Sequence, residues 1–143
     1  MHLIDISTEQ SRLDIARIHR WLSEESYWAQ NIPETTLRRA LENSLCIGAY
    51  DSDTGEQLGL ARVITDYATF AYLCDVFVVT NRQGQGIGKQ LIEAVCAELE
   101  PLKLRRWALA TRDAHGLYEQ YGFVNAPEGH WMHRLFRDVY VPR

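Results

Sequence analysis

The sequence is short of the features that would take it out of the ordinary globular class. Only three of its 143 residues are cysteine, at positions 46, 74 and 96. An odd, widely spaced set supports neither a disulfide framework nor a zinc knuckle, so Cys46, Cys74 and Cys96 read as buried thiols. No run approaches the roughly 18 apolar residues of a membrane span. Behind Met1 stand Asp5 and Glu9 rather than an apolar leader, and a cytoplasmic protein without a membrane partner is the expectation. Basic residues are also in the minority: 15 Lys and Arg against 19 Asp and Glu leave a net charge of −4. That balance speaks against nucleic acid and anionic lipid as partners, which rely on a cationic face, and fits a neutral or cationic small partner better. Proline is scarce, with four residues, and no repeat or biased segment interrupts the chain. At 46% hydrophobic and 24% charged, residues 1–143 are expected to form a single domain around one core.

The periodicity alternates between strand and helix. Met1 to Ile6 can make a first strand, and Ile15, Ile18 and Leu22 recur at helical spacing over Ser11–Leu22, with Ser11 as a cap. Ser23 to Pro33 lacks clean periodicity and reads as a loop, after which Pro33 opens a short helix with Leu37, Ala40 and Leu41. Three antiparallel strands follow, at Leu45–Tyr50, Leu58–Thr65 and Thr69–Val79, separated by polar turns. Gly86 to Glu98 returns to helical period through Ile87, Leu91 and Val95 and stops before Pro101. Arg106–Ala110 reads as a strand, Ala114–Tyr121 as a helix ended by Gly122, and Trp131–Leu135 as a late strand. The expected order is β-α-α-β-β-β-α-β-α-β.

Glycines at 84, 86 and 88 stand where a buried strand gives way to an amphipathic helix. Such a junction leaves the first helical N–H groups open and lets a foreign phosphate approach the backbone. The positive end of the helix dipole adds to the attraction, as do Arg82 and Lys89. Spacing decides among the phosphate-binding readings. A P-loop needs Gly at 83 and Ser or Thr at 90, where Gln83 and Gln90 stand. A dinucleotide fingerprint needs its third glycine at position 89, which is Lys89, and an acidic residue about 20 positions on, where Leu104 to Arg106 stand. A tight turn alone would explain one glycine rather than three.

The run Gln83, Gly84, Gln85, Gly86, Ile87, Gly88 matches, position for position, the motif of the GNAT superfamily of N-acetyltransferases: Gln or Arg, two residues, Gly, one residue, Gly or Ala. Ala110 to Phe123 resembles the family's second signature through Ala114, Leu117, Tyr118, Gly122 and Phe123, with Thr111 where many members carry Asn. The resemblance implies an α/β (α+β) GNAT fold with a central mixed, mostly antiparallel sheet of six to seven strands flanked by about four helices. It implies acetyl-CoA as cosubstrate and no metal. It places the pantetheine arm against the backbone of Phe77 and Val78 and the pyrophosphate on Gln83, Gly84, Gln85, Gly86, Ile87, Gly88 and Lys89, with Arg82 flanking the turn as a further cofactor residue and Thr111 on the cofactor side. Dimers are frequent in the family, so a homodimer is among the expectations.

Moving an acetyl group from a thioester to an amine requires a neutral amine, stabilisation of the carbonyl oxygen and a proton for the departing thiolate. By resemblance Tyr118 supplies that proton as general acid, and the N–H of Val78 faces the carbonyl oxygen. The phenol's ordinary pKa near 10 suits a site where water is scarce. Tyr121, three residues on, reads as a packing residue. Asp75 lies on an apolar strand, in a stretch resembling one in polyamine acetyltransferases. It is either an acceptor or proton-removal residue or one half of a structural ion pair. The family places the acceptor between the loop joining the first two helices and the late strands, which nominates Glu24, Glu25, Tyr27, Trp28 and Trp131. Aromatic faces and carboxylates attract cationic amines, whereas taken singly each of these residues reads first as a packing or solvated one. His130 and His133 have no carboxylate or cysteine at ligand spacing, so no metal site is expected, and His115 reads as a surface residue. The expected activity is direct N-acetylation of a primary amine on a small molecule or peptide. The alternative is a non-catalytic CoA-binding sensor or assembly module, and acetylation of charged tRNA conflicts with the acidic balance.

Overall fold

A computed structural model describes residues 3–141, and the expected strand residues Met1 and His2 lie outside them. Five strands, β1 (Ile4–Ser7), β2 (Leu45–Asp51), β3 (Gln57–Thr65), β4 (Phe70–Val78) and β5 (Arg106–Leu109), form one sheet in sequence order. Neighbours β1 to β4 are antiparallel, and β4 pairs with β5 in parallel. The helices are α1 (Ile15–Arg20), α2 (Glu34–Glu42), α3 (Ile87–Leu99) and α4 (His115–Glu119).

The alternation of the strands and the apolar stripe of α3 account for one core. Leu60, Ala61 and Val63 on β3 meet Ile47 and Ala49 on β2, and α3 contributes Ile87, Leu91, Ile92, Val95 and Leu99. Ile18, Leu22, Leu37 and Leu41 join the same cluster from α1, the turn after it and α2. Tyr118 reaches it from α4.

Three expectations are corrected. The first helix is shorter than Ser11–Leu22: a 3-10 turn covers Gln10–Arg12, and the cap is Asp14, whose Oδ1 accepts from the N–H of Arg17 at 3.1 Å. A carboxylate one residue before the first helical position reaches that orphan donor, whereas Ser11 lies too far upstream. The helix then widens into a π-helical turn over Trp21–Glu25, a local expansion that periodicity does not reveal. Finally, Trp131–Leu135 forms no strand, leaving a five-stranded sheet instead of six or seven. Pro127 and the left-handed Gly129 (φ 79°) turn the chain there, and Trp131 docks through its ring, 6.4 Å from Phe70, rather than through a ladder. Alternation specifies a strand only where an edge accepts it.

Candidate functional site

Beyond Leu73, β4 and β5 part. Their pairing runs from Phe70 opposite Arg106 to Leu73 opposite Leu109 and stops, so Cys74–Val78 has no strand on its β5 side. At the parting point Asp75 adopts a left-handed backbone (φ 51°) beside a register shift opposite Leu60 and Arg62. A non-glycine residue in that region stores strain and persists only where its surroundings hold it. Here the hold is visible. The indole Nε1–H of Trp28 donates to Asp75 Oδ1 at 2.6 Å, and Arg62 Nε donates to Asp75 Oδ2 at 2.7 Å. Arg62 also donates to Ser44 Oγ at 3.0 Å. Asp75 is buried, and Arg62 is largely so, so removing either partner would leave the other's charge buried and uncompensated. Both carboxylate oxygens are thus engaged, one by the strand next door and one by the loop that follows α1.

The same loop supplies Tyr27, which meets Trp28 edge to face at 4.9 Å. The guanidinium of Arg112, from the β5–α4 connection, lies 3.4 Å above the Tyr27 ring. One aromatic face proposed for an acceptor is therefore covered by an arginine, which brings a cation to the mouth of the site. Glu24 is solvent-exposed, and Glu25 accepts from the Thr80 hydroxyl at 3.4 Å, linking this loop to the segment leading into the glycine turn.

In that turn Gly84 and Gly86 have φ of 80° and 81°, and Gly86 caps α3 in the left-handed conformation. A Cβ at either would meet nothing within 4 Å, so backbone conformation rather than crowding demands glycine, and open space lies before both. No side chain caps α3, and its first internal bond runs from Gln90 N–H to Gly86 O, which leaves the earlier amides of the helix open. Gly88 faces Val78, whose Cγ2 a Cβ would meet at 4.0 Å, and Gln83 Nε2 donates to the Val78 carbonyl at 3.2 Å. The turn is thereby tied to the unpaired end of β4. Lys89 is exposed, whereas Arg82 is drawn inward, donating to Gln85 Oε1 at 3.0 Å and to Asp51 Oδ2 at 3.4 Å. Phe77 stacks on Trp21 at 5.2 Å and is paired with Leu60 of β3.

Tyr118 sits on α4 with 9% of its surface exposed, its ring edge against Phe123 at 5.9 Å. Burial, with smaller contributions from Tyr27 and Asp113, raises its phenol above the ordinary value, so the hydroxyl stays protonated through the neutral range. No hydrogen bond within the described residues occupies that hydroxyl, and Tyr118 lines a cavity of about 1060 Å³ together with Thr111 and Tyr72. Thr111 Oγ1 accepts from the Ala114 N–H at 3.1 Å, closing the turn that leads into α4. Tyr121 donates to Glu93 on α3 at 3.2 Å, a packing role. Trp131 lies at the opposite end of the cavity, under Arg106 at 5.3 Å, and is not brought to Trp28. Among the described residues no cluster of His, Cys, Asp and Glu is arranged to hold a metal, and no helix is long and apolar enough to cross a membrane.

Sequence reasoning paired Asp75 with no partner and overlooked Arg62 and Arg112. Arg62 could have been found from its place on the adjacent strand, since a buried carboxylate demands a cation nearby; nothing local marks Arg112.

Residues 15–123 match the family described as the Acetyltransferase (GNAT) family. A protein of the GNAT family from Xanthomonas campestris pv. campestris, known by crystal structure, superposes with a TM-score of 0.92 at 45% identity, covering 99% of both chains. An acetyltransferase-named protein of Gibberella zeae is 34% identical over 131 residues, 79% of this chain and 74% of that one. A histone acetyltransferase of Glycine max is 33% identical over 108 residues, 68% of this chain but 47% of its own length.

Proposed function

The chain belongs to the GNAT family of acetyltransferases, and from that premise we propose that it is a single N-acetyltransferase domain moving an acetyl group from acetyl-CoA directly to a primary amine on a small molecule or peptide. The observation that carries this is the unpaired edge of β4 from Cys74 to Val78, tied at Val78 to a glycine turn whose helix amides are open. These parts fit a CoA thioester: backbone for the pantetheine arm, and left-handed glycines with free space before them for the pyrophosphate. Phe77, Val78, Arg82, Gln83 to Lys89 and Thr111 are the proposed cofactor residues. Arg82 acts through Gln85 and Asp51 rather than as a free cation, and Lys89 supplies the unengaged charge. Acetyl-CoA supplies the activated acyl group. Val78 N–H donates to the acyl oxygen, and Tyr118 holds a proton at its phenol oxygen for the leaving sulfur.

Asp75 serves here as a positioning residue that fixes Trp28 and, through it, the acceptor loop. Glu24, Tyr27, Trp28 and Trp131 remain the proposed acceptor residues, and the soybean relative's histone substrate keeps peptide amines among the candidates. We place the protein in the cytoplasm, with neither nucleic acid nor membrane as partner.

The experiment is thiol release from acetyl-CoA against polyamines, amino acids, aminoglycosides and peptide amines. At least one acceptor is expected to turn over. Tyr118→Phe is expected to lower kcat about 100-fold or more while acetyl-CoA binding and the melting temperature hold. Unchanged turnover removes Tyr118 from the reaction. Tight CoA binding with no turnover on any amine favours the non-catalytic binding module.

A further inference from the structure

The chain of contacts that begins at the buried Arg62–Asp75 pair does not stop at Trp28. Asp75 accepts from the Trp28 indole, the Tyr27 ring meets Trp28 edge to face, and the Arg112 guanidinium lies on Tyr27. A cation on the open side of the sheet is thereby registered to an ion pair on the closed side. A long arginine side chain loses much rotamer freedom when it grips a ligand, and here that ordering is done beforehand.

The contact distance fixes how Arg112 is presented. At 3.4 Å from the ring centroid its central carbon is in van der Waals contact, which a guanidinium reaches face-on without driving an N–H into the ring. The ring takes one face, and the five in-plane N–H donors are left at the edge. No carboxylate takes them up. Ion pairs among the described residues engage Arg12, Arg17, Arg38, Arg62 and Arg82 but not Arg112, which is exposed in a chain with a surplus of acidic groups. Even Asp113, next in sequence, and Glu24, on the loop that carries Tyr27, make no ion pair with it.

This cation stands beside the proposed transfer site. Thr111, the residue before it, lines the cavity with Tyr72 and Tyr118. Burial raises the Tyr72 and Tyr118 phenols, and Tyr27 adds to both shifts, which sets the ring under Arg112 close to the proposed acid.

We infer that Arg112 selects the acceptor: the amine taken by this site carries a carboxylate, as a free amino acid does, and two in-plane N–H groups of Arg112 hold that carboxylate while the amine faces the acyl group. The inference rests on the acetyl transfer proposed above. Two parallel N–H groups match one planar carboxylate. Among the described residues Arg112 is the one cation over the Tyr27 ring, which suits a single negative charge better than the double charge of a phosphate monoester. The same guanidinium repels an acceptor that has a second ammonium group in place of the carboxylate, so polyamines are poor acceptors.

Matched pairs that differ only in the carboxylate test this: alanine against ethylamine, phenylalanine against phenethylamine and lysine against cadaverine, each followed by thiol release from acetyl-CoA. In at least one pair the wild type is expected to favour the amino acid by about 10-fold or more in kcat/KM. Arg112→Gln is expected to raise the amino acid KM about 10- to 100-fold while the KM values of acetyl-CoA and of the matched amine stay within about twofold. Arg112→Lys, which keeps the charge and loses the fork, is expected to fall between. Tyr27→Phe keeps the ring and is expected to keep the preference, whereas Tyr27→Leu is expected to lose most of it. A wild type that favours the amino acid in no pair overturns the inference, as does a preference that Arg112→Gln leaves in place. Faster turnover of O-phosphoethanolamine than of every amino acid overturns the carboxylate. Thiol release with no acceptor at all overturns the acetyl transfer instead, and calorimetry on the CoA-bound protein then decides the anion site. One of the three amino acids is expected to bind there, and about 10- to 100-fold more weakly in Arg112→Gln; no binding, or binding that the variant does not move, overturns the site.

Discussion

The two sides of the sheet are finished in different ways. From β1 to β4 every strand has antiparallel neighbours or a covered face, and Ile47, Ala49, Leu60, Ala61, Leu91 and Ile92 have no measurable exposure. From β5 onward the strand is four residues long, α4 is five, and the following segment exposes most of its apolar groups. The proposed site residues stand at the seam. Asp75 and Val78 belong to the closed side, and Tyr118 and Thr111 to the open one. A splayed parallel pair can admit a long flexible ligand only if one side of the split is rigid enough to hold geometry and the other is loosely bound to it.

Breaking the closed side has the largest expected effect. Leu60→Ala removes a fully buried side chain and is expected to cost about 2–5 kcal/mol in urea unfolding. Glu128→Ala on the open side is expected to move the same measurement by less than about 0.5 kcal/mol. A similar loss at both positions would mean that the asymmetry is not one of packing.

Asp75→Asn probes the seam from the closed side. Asn tolerates the left-handed backbone but leaves Arg62 buried without its counter-charge, so a loss of about 2–3 kcal/mol is expected. Because Trp28 is held by the same carboxylate, the acceptor KM is expected to rise more than the acetyl-CoA KM. A changed acid limb in the pH profile of kcat, with KM unmoved, would make Asp75 a proton acceptor instead.

Gly86→Ala sharpens the cofactor side. The added methyl meets nothing, so the expected cost of about 1–2 kcal/mol comes from the left-handed backbone alone. The acetyl-CoA KM is expected to rise with it, read by steady-state kinetics.

The smallest effect is one of pH. Burial pushes the Cys46 thiol up to about 11 and the Cys74 thiol up to about 12, with Arg62 opposing both. The folded chain therefore keeps these protons after the unfolded chain has begun to lose them, and stability falls as pH rises past about 9 toward 11 and 12. Melting temperatures measured over that range are expected to decline, and less steeply in Cys46→Ala and Cys74→Ala than in the wild type.

Much of the closed side was legible in the sequence. The boundaries of β2, β3, β4 and α3 follow from alternation and helical spacing to within a residue or two, because each element buries a face whose pattern is written locally. The glycine turn was legible for a similar reason: Gly84 and Gly86 occupy backbone conformations that other residues pay strain to adopt. The open side was less so. Trp131–Leu135 has a strand's pattern without a strand's partner in the chain, and the π-helical turn at Trp21–Glu25 leaves no mark on periodicity.

Sequence alone, then, determined the order of strands and helices from β1 to α4, the glycine turn before α3 and the place of Tyr118 on α4, since all three depend on residue type and near neighbours. Only the tertiary structure decided that Asp75 answers to Arg62 and Trp28, that Arg112 covers Tyr27, and that β5 keeps an open edge. These are pairings between residues far apart along the chain, and no local pattern specifies which distant groups the folded backbone will bring within reach.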